Sequence, residues 1–169
     1  MEIISKFHIN ACNPKNNSCF DNKDVKLSEA IYTIFPMETE DAILFWGDEK
    51  IPLSYRYDIS TIIDEIIEMI FAVKNKSSEK WDVVWSSNTF AGRWYFKLLG
   101  DSLEIDAQWR EEFEASDYLE NHSVLRIERE KFLKEWEKII DILLVNLGEC
   151  GYTCENLSDM RLLTEVNSA

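Results

Sequence analysis

The chain has little of what nucleotide and metal chemistry requires. Its five glycines stand apart at positions 47, 92, 100, 148 and 151, so none opens a phosphate-cradling loop, and P-loop and dinucleotide fingerprints are excluded. Histidine is almost missing: His8 lies in a predicted strand and His122 in a polar turn, each isolated in sequence, and both are expected to be structural. Basic residues are scarce as well, eighteen against thirty-two acidic ones, for a net charge of -14. A field of that sign repels phosphate backbones and anionic headgroups, so no nucleic acid and no membrane surface is expected as a partner. No window approaches the roughly 18 uninterrupted apolar residues of a membrane span. The opening MEIISKFHIN carries no apolar leader, so the expected location is cytoplasmic.

Cysteine is present but sparse. Cys150 and Cys154 have ligand-like spacing that Cys12 and Cys19 could complete, yet the latter pair is too widely spaced for a usual zinc knuckle. All four are read as free thiols, and neither metal nor cofactor is expected. What the chain does have is apolar bulk. Hydrophobic residues make up 46%, with six Trp, nine Phe and six Tyr, enough to offset the entropy that keeps polar chains unfolded. A chain of 169 residues fits one domain, 1–169.

Periodicity predicts an α+β fold: one antiparallel sheet of about six to eight strands packed with two main helices, near 60–75 and 129–147. Glu2 to Ile9 alternates loosely as a first strand, and the Asn-rich stretch 10–25 reads as a loop. AIYTIF, Ala30 to Phe35, has the β-branched and aromatic content of a strand ended by Pro36. AILFW and IPLSYRY flank Gly47 to Lys50 as a hairpin. Asp58 or Ser60 caps a helix whose stripe is Ile62, Ile63, Ile66, Ile67, Ile70 and Phe71. WDVVWSS, GRWYFKLLG and SLEIDAQWR suit a meander, with SVLRIE as a further strand. Phe132, Leu133, Trp136, Ile139, Ile140, Leu143, Leu144 and Leu147 stripe the second helix. Residues 153–169 are expected to form a loosely docked C-terminal tail.

Carboxylates are too abundant for any pair to mark an acid/base couple, but their distribution is informative. From Asp101 to Glu120 stand Asp101, Glu104, Asp106, Glu111, Glu112, Glu114, Asp117 and Glu120 against Arg110 alone, a net of -7 and half the chain's charge. Such a run is most often only a solvated face. Here it borders Trp109, Phe113 and Tyr118, and aromatic anchors in a charged rim are what protein interfaces favour. Asp101, Glu104, Asp106, Trp109, Glu111, Glu112, Glu114, Asp117, Tyr118 and Glu120 are therefore the candidate partner-binding residues. Glu38, Glu40, Asp41, Asp48 and Glu49 form a second acidic concentration beside the first hairpin.

Three runs between Phe45 and Tyr152 carry a family resemblance: FWGDEKIPLSYRYDISTIIDEIIEMI, WDVVWSSNTFAGRWYFKLLGDSLEIDAQWR and FLKEWEKIIDILLVNLGECGY. The chain resembles small bacterial immunity proteins of contact-dependent growth inhibition and related polymorphic toxin systems. That resemblance implies a cytosolic antidote, not an enzyme, that binds one cognate toxin domain, often a nuclease. It assigns no individual residue. The alternatives are a small enzyme whose site is assembled from carboxylates and His8 or His122, and an oligomeric adaptor; a monomer is favoured.

Overall fold

Two antiparallel meanders form the frame. The computed structural model describes residues 2–14, 19, 26–37, 40–110 and 117–167. In the first meander, β1 (Phe7–Asn10), β2 (Ala42–Trp46) and β3 (Glu49–Leu53) lie in that order. In the second, β4 (Lys80–Ser86), β5 (Ala91–Leu99), β6 (Ser102–Trp109) and β7 (Val124–Glu128) follow one another. The chain is thus α+β, but the single sheet expected from the sequence is two sheets of three and four strands. They touch through the segment before β1: Ile4 N–H donates to Val124 O at 2.9 Å, and Arg126 N–H donates to Ile4 O at 2.8 Å. Alternation states which face a residue takes, not which strand it pairs with, so the break between sheets leaves no mark in the pattern.

The helices are α1 (Leu27–Ile34), α2 (Ser60–Asn75), α3 (Asp117–Asn121), α4 (Arg129–Glu149) and α5 (Met160–Asn167). The two apolar stripes appear as α2 and α4, within two residues of their expected ends. Contrary to the strand expected for Ala30 to Phe35, Ala30 to Ile34 belong to α1, whose Leu27, Ala30, Ile31 and Ile34 are buried, and α1 packs on α2 and α4. Its β-branched residues are weak helix formers, and packing of the stripe outweighs that small local preference. Four tryptophans from different elements fill the centre. Trp46 of β2 meets Trp94 of β5 at 5.1 Å, Trp94 meets Trp85 at 5.2 Å, and Trp136 of α4 stacks on Trp85 at 5.9 Å. All four are fully buried, so this cluster joins the two sheets to the long helix.

Two other expectations change. Cys19 and Cys150 form a disulfide across 131 residues, leaving Cys12 and Cys154 as the free thiols; folding brings Cys19 to the end of α4, which no spacing rule reveals. The segment after Tyr152, expected to dock loosely, contains α5, and Leu157, Leu163 and Val166 are buried. No described helix is long and apolar enough to cross a membrane.

Candidate functional site

The described carboxylates of the run from Asp101 to Glu120 do not form one patch. β6 alternates, so Leu103, Ile105 and Ala107 face the core while Glu104 and Asp106 emerge on the outer face of the four-stranded sheet. There Glu104 stands between Lys97 and Arg126 in the strand register and meets Arg126 at 2.5 Å. Asp106 stands opposite Tyr95 and Val124. Asp101, in the turn after β5, is 3.3 Å from Lys76. Trp109 ends the same strand, about 25 Å from Asp101 at the usual rise per residue, and packs among Trp46, Phe90 and Trp94 instead of facing a partner. Glu111, Glu112 and Glu114 lie outside the described residues, as do Phe113 and Glu38.

The remaining members, Asp117, Tyr118 and Glu120, come together with part of the second acidic concentration. Tyr118 is the link. From α3 its hydroxyl accepts the Asp48 N–H at 3.1 Å in the β2–β3 turn, and its ring stacks on His122 at 4.1 Å. Gly47 makes the approach possible: it sits at φ +61°, and a Cβ there would lie 2.3 Å from the Tyr118 hydroxyl oxygen. Trp46 Nε1–H donates to His122 O at 2.8 Å, and His122 Nε2 lies 3.4 Å from Glu2 Oε2. Exposed Asp48, Asp117, Glu120 and Glu2, with half-buried Glu49, therefore ride on elements that hold one another. Lys6 pairs with Asp48 at 3.2 Å. This is the acidic rim.

At the other end of the same hairpin is a cavity of about 420 Å³. Its floor is Asp58, only 2% exposed. The residues from Tyr55 to Ile59 make one wide helical turn ahead of α2, in which Ile59 N–H reaches back to Ser54 O at 2.9 Å; such turns recur at functional sites. Ser54 Oγ accepts the Tyr57 N–H at 3.2 Å, and Asp58 Oδ2 accepts the Ser54 N–H at 2.9 Å. This reciprocal cap replaces the simple Asp58 or Ser60 cap expected from the sequence. Asp58 Oδ1 also accepts the hydroxyls of Ser87, at 2.7 Å, and Thr89 in the β4–β5 connection. Asp41 stands at the mouth. Its pKa is raised by partial burial and then by the charge of Asp58. Tyr32 and Tyr57 meet edge to face at 6.0 Å beside it, with the Arg56 guanidinium 4.1 Å from the Tyr32 ring.

The chain matches no protein-family model, no curated protein and no solved structure. Geometry alone therefore carries the functional reading. His8 Nδ1 lies 3.1 Å from Glu135 Oε2, an oxygen that also receives Ile9 N–H at 2.8 Å and Lys138 Nζ at 2.6 Å, so this carboxylate ties β1 to α4. Neither His8 nor His122 lines any of the four described cavities. Sequence reasoning missed the cavity. The signal was present in Ser54-Tyr-Arg-Tyr-Asp58, a polar pair just ahead of an apolar helical stripe, and in the hydroxyl-rich Ser86-Ser-Asn-Thr89 turn.

Proposed function

We propose that the protein is a non-catalytic antidote that binds and neutralises a basic toxin domain, acting as immunity proteins of contact-dependent inhibition and polymorphic toxin systems do. One observation carries this reading: the fold joins two separate acidic segments, at Asp48–Glu49 and Asp117–Glu120, through the Tyr118 clamp. Lys6 makes the one ion pair with them among the described residues. Carboxylates held on a turn and a short helix suit the phosphate-binding surface of a nuclease, which is basic. They accelerate encounter more than they deepen affinity. The working interface is thus Asp48, Glu49, Asp117 and Glu120, with Tyr118 positioning the turn, while Glu104 and Trp109 serve the sheet and the core. An enzyme built on His8 or His122 has less support, because the Glu135 oxygen nearest His8 is already saturated with donors.

The test is protection. Coexpressed with basic toxin domains encoded beside it, the protein restores growth, and association is fast and slows steeply with salt. Reversing Asp48, Asp117 and Glu120 to Lys slows association by at least about tenfold at low salt. Absence of protection against every such domain, or protection and kinetics untouched by the triple reversal, refutes the reading.

A further inference from the structure

We infer that the cavity between the wide turn ahead of α2 and the β4–β5 connection is a binding pocket for a cationic group on an alkyl stem, an ammonium or guanidinium. The argument rests on where the hydroxyl protons go. Thr89 and Ser87 donate to Asp58 Oδ1, and Ser87 Oγ also accepts Phe90 N–H at 2.9 Å. Thr61 donates to Tyr57 O at 2.7 Å. The Ser54 N–H is spent on Asp58 Oδ2, and Ser54 Oγ accepts Tyr57 N–H. A hydroxyl has one proton and two lone pairs, so Thr61 and Thr89, their protons spent on protein oxygens, have only acceptor capacity left for a ligand. The donors of Ser54 N–H, Thr61, Ser87 and Thr89 are thus spent on protein oxygens.

Charge points the same way. Among the described residues, the lining includes the carboxylates of Asp41 and Asp58 and no Lys, Arg or His. Asp41 is exposed at the mouth and makes no hydrogen bond among the described residues. Arg56 is not part of that lining: its Nη1 donates to Tyr32 O at 3.2 Å and Phe35 O at 3.0 Å, and its guanidinium lies over the Tyr32 ring. Tyr32, Tyr57 and Pro52 give an apolar wall for a stem. A volume of about 420 Å³ is within the range of small-ligand sites. A cavity that carries two carboxylates and several hydroxyls already committed as donors favours a multi-donor cation over an anion.

The cation has two sources, a free small molecule or an Arg or Lys side chain of a protein partner, and probes separate them. Titrate the whole ¹⁵N-labelled protein with agmatine, with a terminally blocked peptide containing one internal arginine, and with butan-1-ol as the neutral control. Agmatine is expected to shift the Ser54, Asp58, Asn88 and Thr89 amide signals saturably, and the alcohol to leave them in place. Saturation by the peptide as well assigns the pocket to a partner's side chain; saturation by agmatine alone assigns it to a free cation. Asp41→Asn, which breaks no internal hydrogen bond, weakens agmatine by about tenfold without changing the fold reported by the remaining signals. No saturable shift with either cation, equal shifts with the alcohol, or unchanged affinity in Asp41→Asn overturns the inference. The result is independent of the acidic rim, since Asp48→Lys with Glu120→Lys leaves the agmatine titration unchanged.

Discussion

The two ends of the β2–β3 hairpin lie about 16 Å apart by strand rise and use carboxylates in opposite ways. At the turn end, Asp48, Asp117 and Glu120 stand in water, and the Lys6–Asp48 pair joins side chains that are 63% and 80% exposed. Such pairs add little to stability, so these charges are free to serve encounter with a partner. At the strand end, Asp58 is buried and receives an amide and two hydroxyls. There the charge organises structure, and removing it leaves several donors without an acceptor. Acidity as a bulk property hides this difference; burial and donor count reveal it.

The sharpest way to break the comparison is at Asp58. Asp58→Ala strands the Ser54 N–H and the Ser87 and Thr89 hydroxyls and removes the cap ahead of α2. It is expected to cost about 2–4 kcal/mol in urea unfolding. A cost below about 0.5 kcal/mol would mean that water takes over those donors and that the floor is not a clamp. Gly47→Ala attacks the other end and is expected to cost about 1–2 kcal/mol, because the left-handed backbone penalises a Cβ and the methyl group displaces the Tyr118 hydroxyl. If the Tyr118 amide signal stays in place in that variant, the clamp is looser than its geometry states. Tyr118→Phe isolates the single hydrogen bond to Asp48 N–H and is expected to cost about 0.5–1.5 kcal/mol. With a partner in hand, it lowers the association rate less than the charge reversals do, since it loosens the turn and leaves every carboxylate.

Those contrasts also show what the sequence made legible. α2 and α4 are evident because six or more apolar residues repeat along one face, and strands β4 to β7 because core and solvent faces alternate. The strand expected in place of α1 follows from Ile31, Tyr32 and Ile34, which favour strands locally, while the burial of Ile31 and Ile34 in a helix packed on α2 and α4 is a long-range fact. The acidic run is legible as a run, but its spacing does not say which of its described members share a face. Period-two geometry sends Glu104 to Arg126 on the outer face, and Trp109 goes to the aromatic core. Tyr118 was among the candidate residues, but its partner at Asp48 is 70 residues away, and nothing local encodes that contact. The cavity is harder still, since Asp41, Asp58 and Thr89 come from three segments whose meeting depends on how the β2–β3 hairpin and α2 pack beside the β4–β5 connection.

The smallest predicted effect tests the cavity's electrostatics directly. Burial and the Asp58 charge raise the pKa of Asp41 in the folded protein. The folded state therefore holds the Asp41 proton more tightly than the unfolded chain does. The stability this lends is complete below the ordinary value of 3.8 and is lost as pH rises through the raised folded value. Asp41→Asn removes that dependence. Relative to wild type, the variant is expected to gain nothing near pH 3 and to gain stability by neutral pH. Because the side chain is partly exposed, solvent screening holds the gain to about a degree in Tm. A bound cation reverses the sign, because it favours the ionised carboxylate: with saturating agmatine, wild type becomes the more stable of the two at neutral pH. Melting curves of both proteins at pH 3 and pH 7, with and without agmatine, read out all four cases. A gain that persists at low pH would trace to something other than charge at Asp41. A gain at neutral pH that agmatine fails to reverse would leave Asp41 desolvated but outside the cation's contacts.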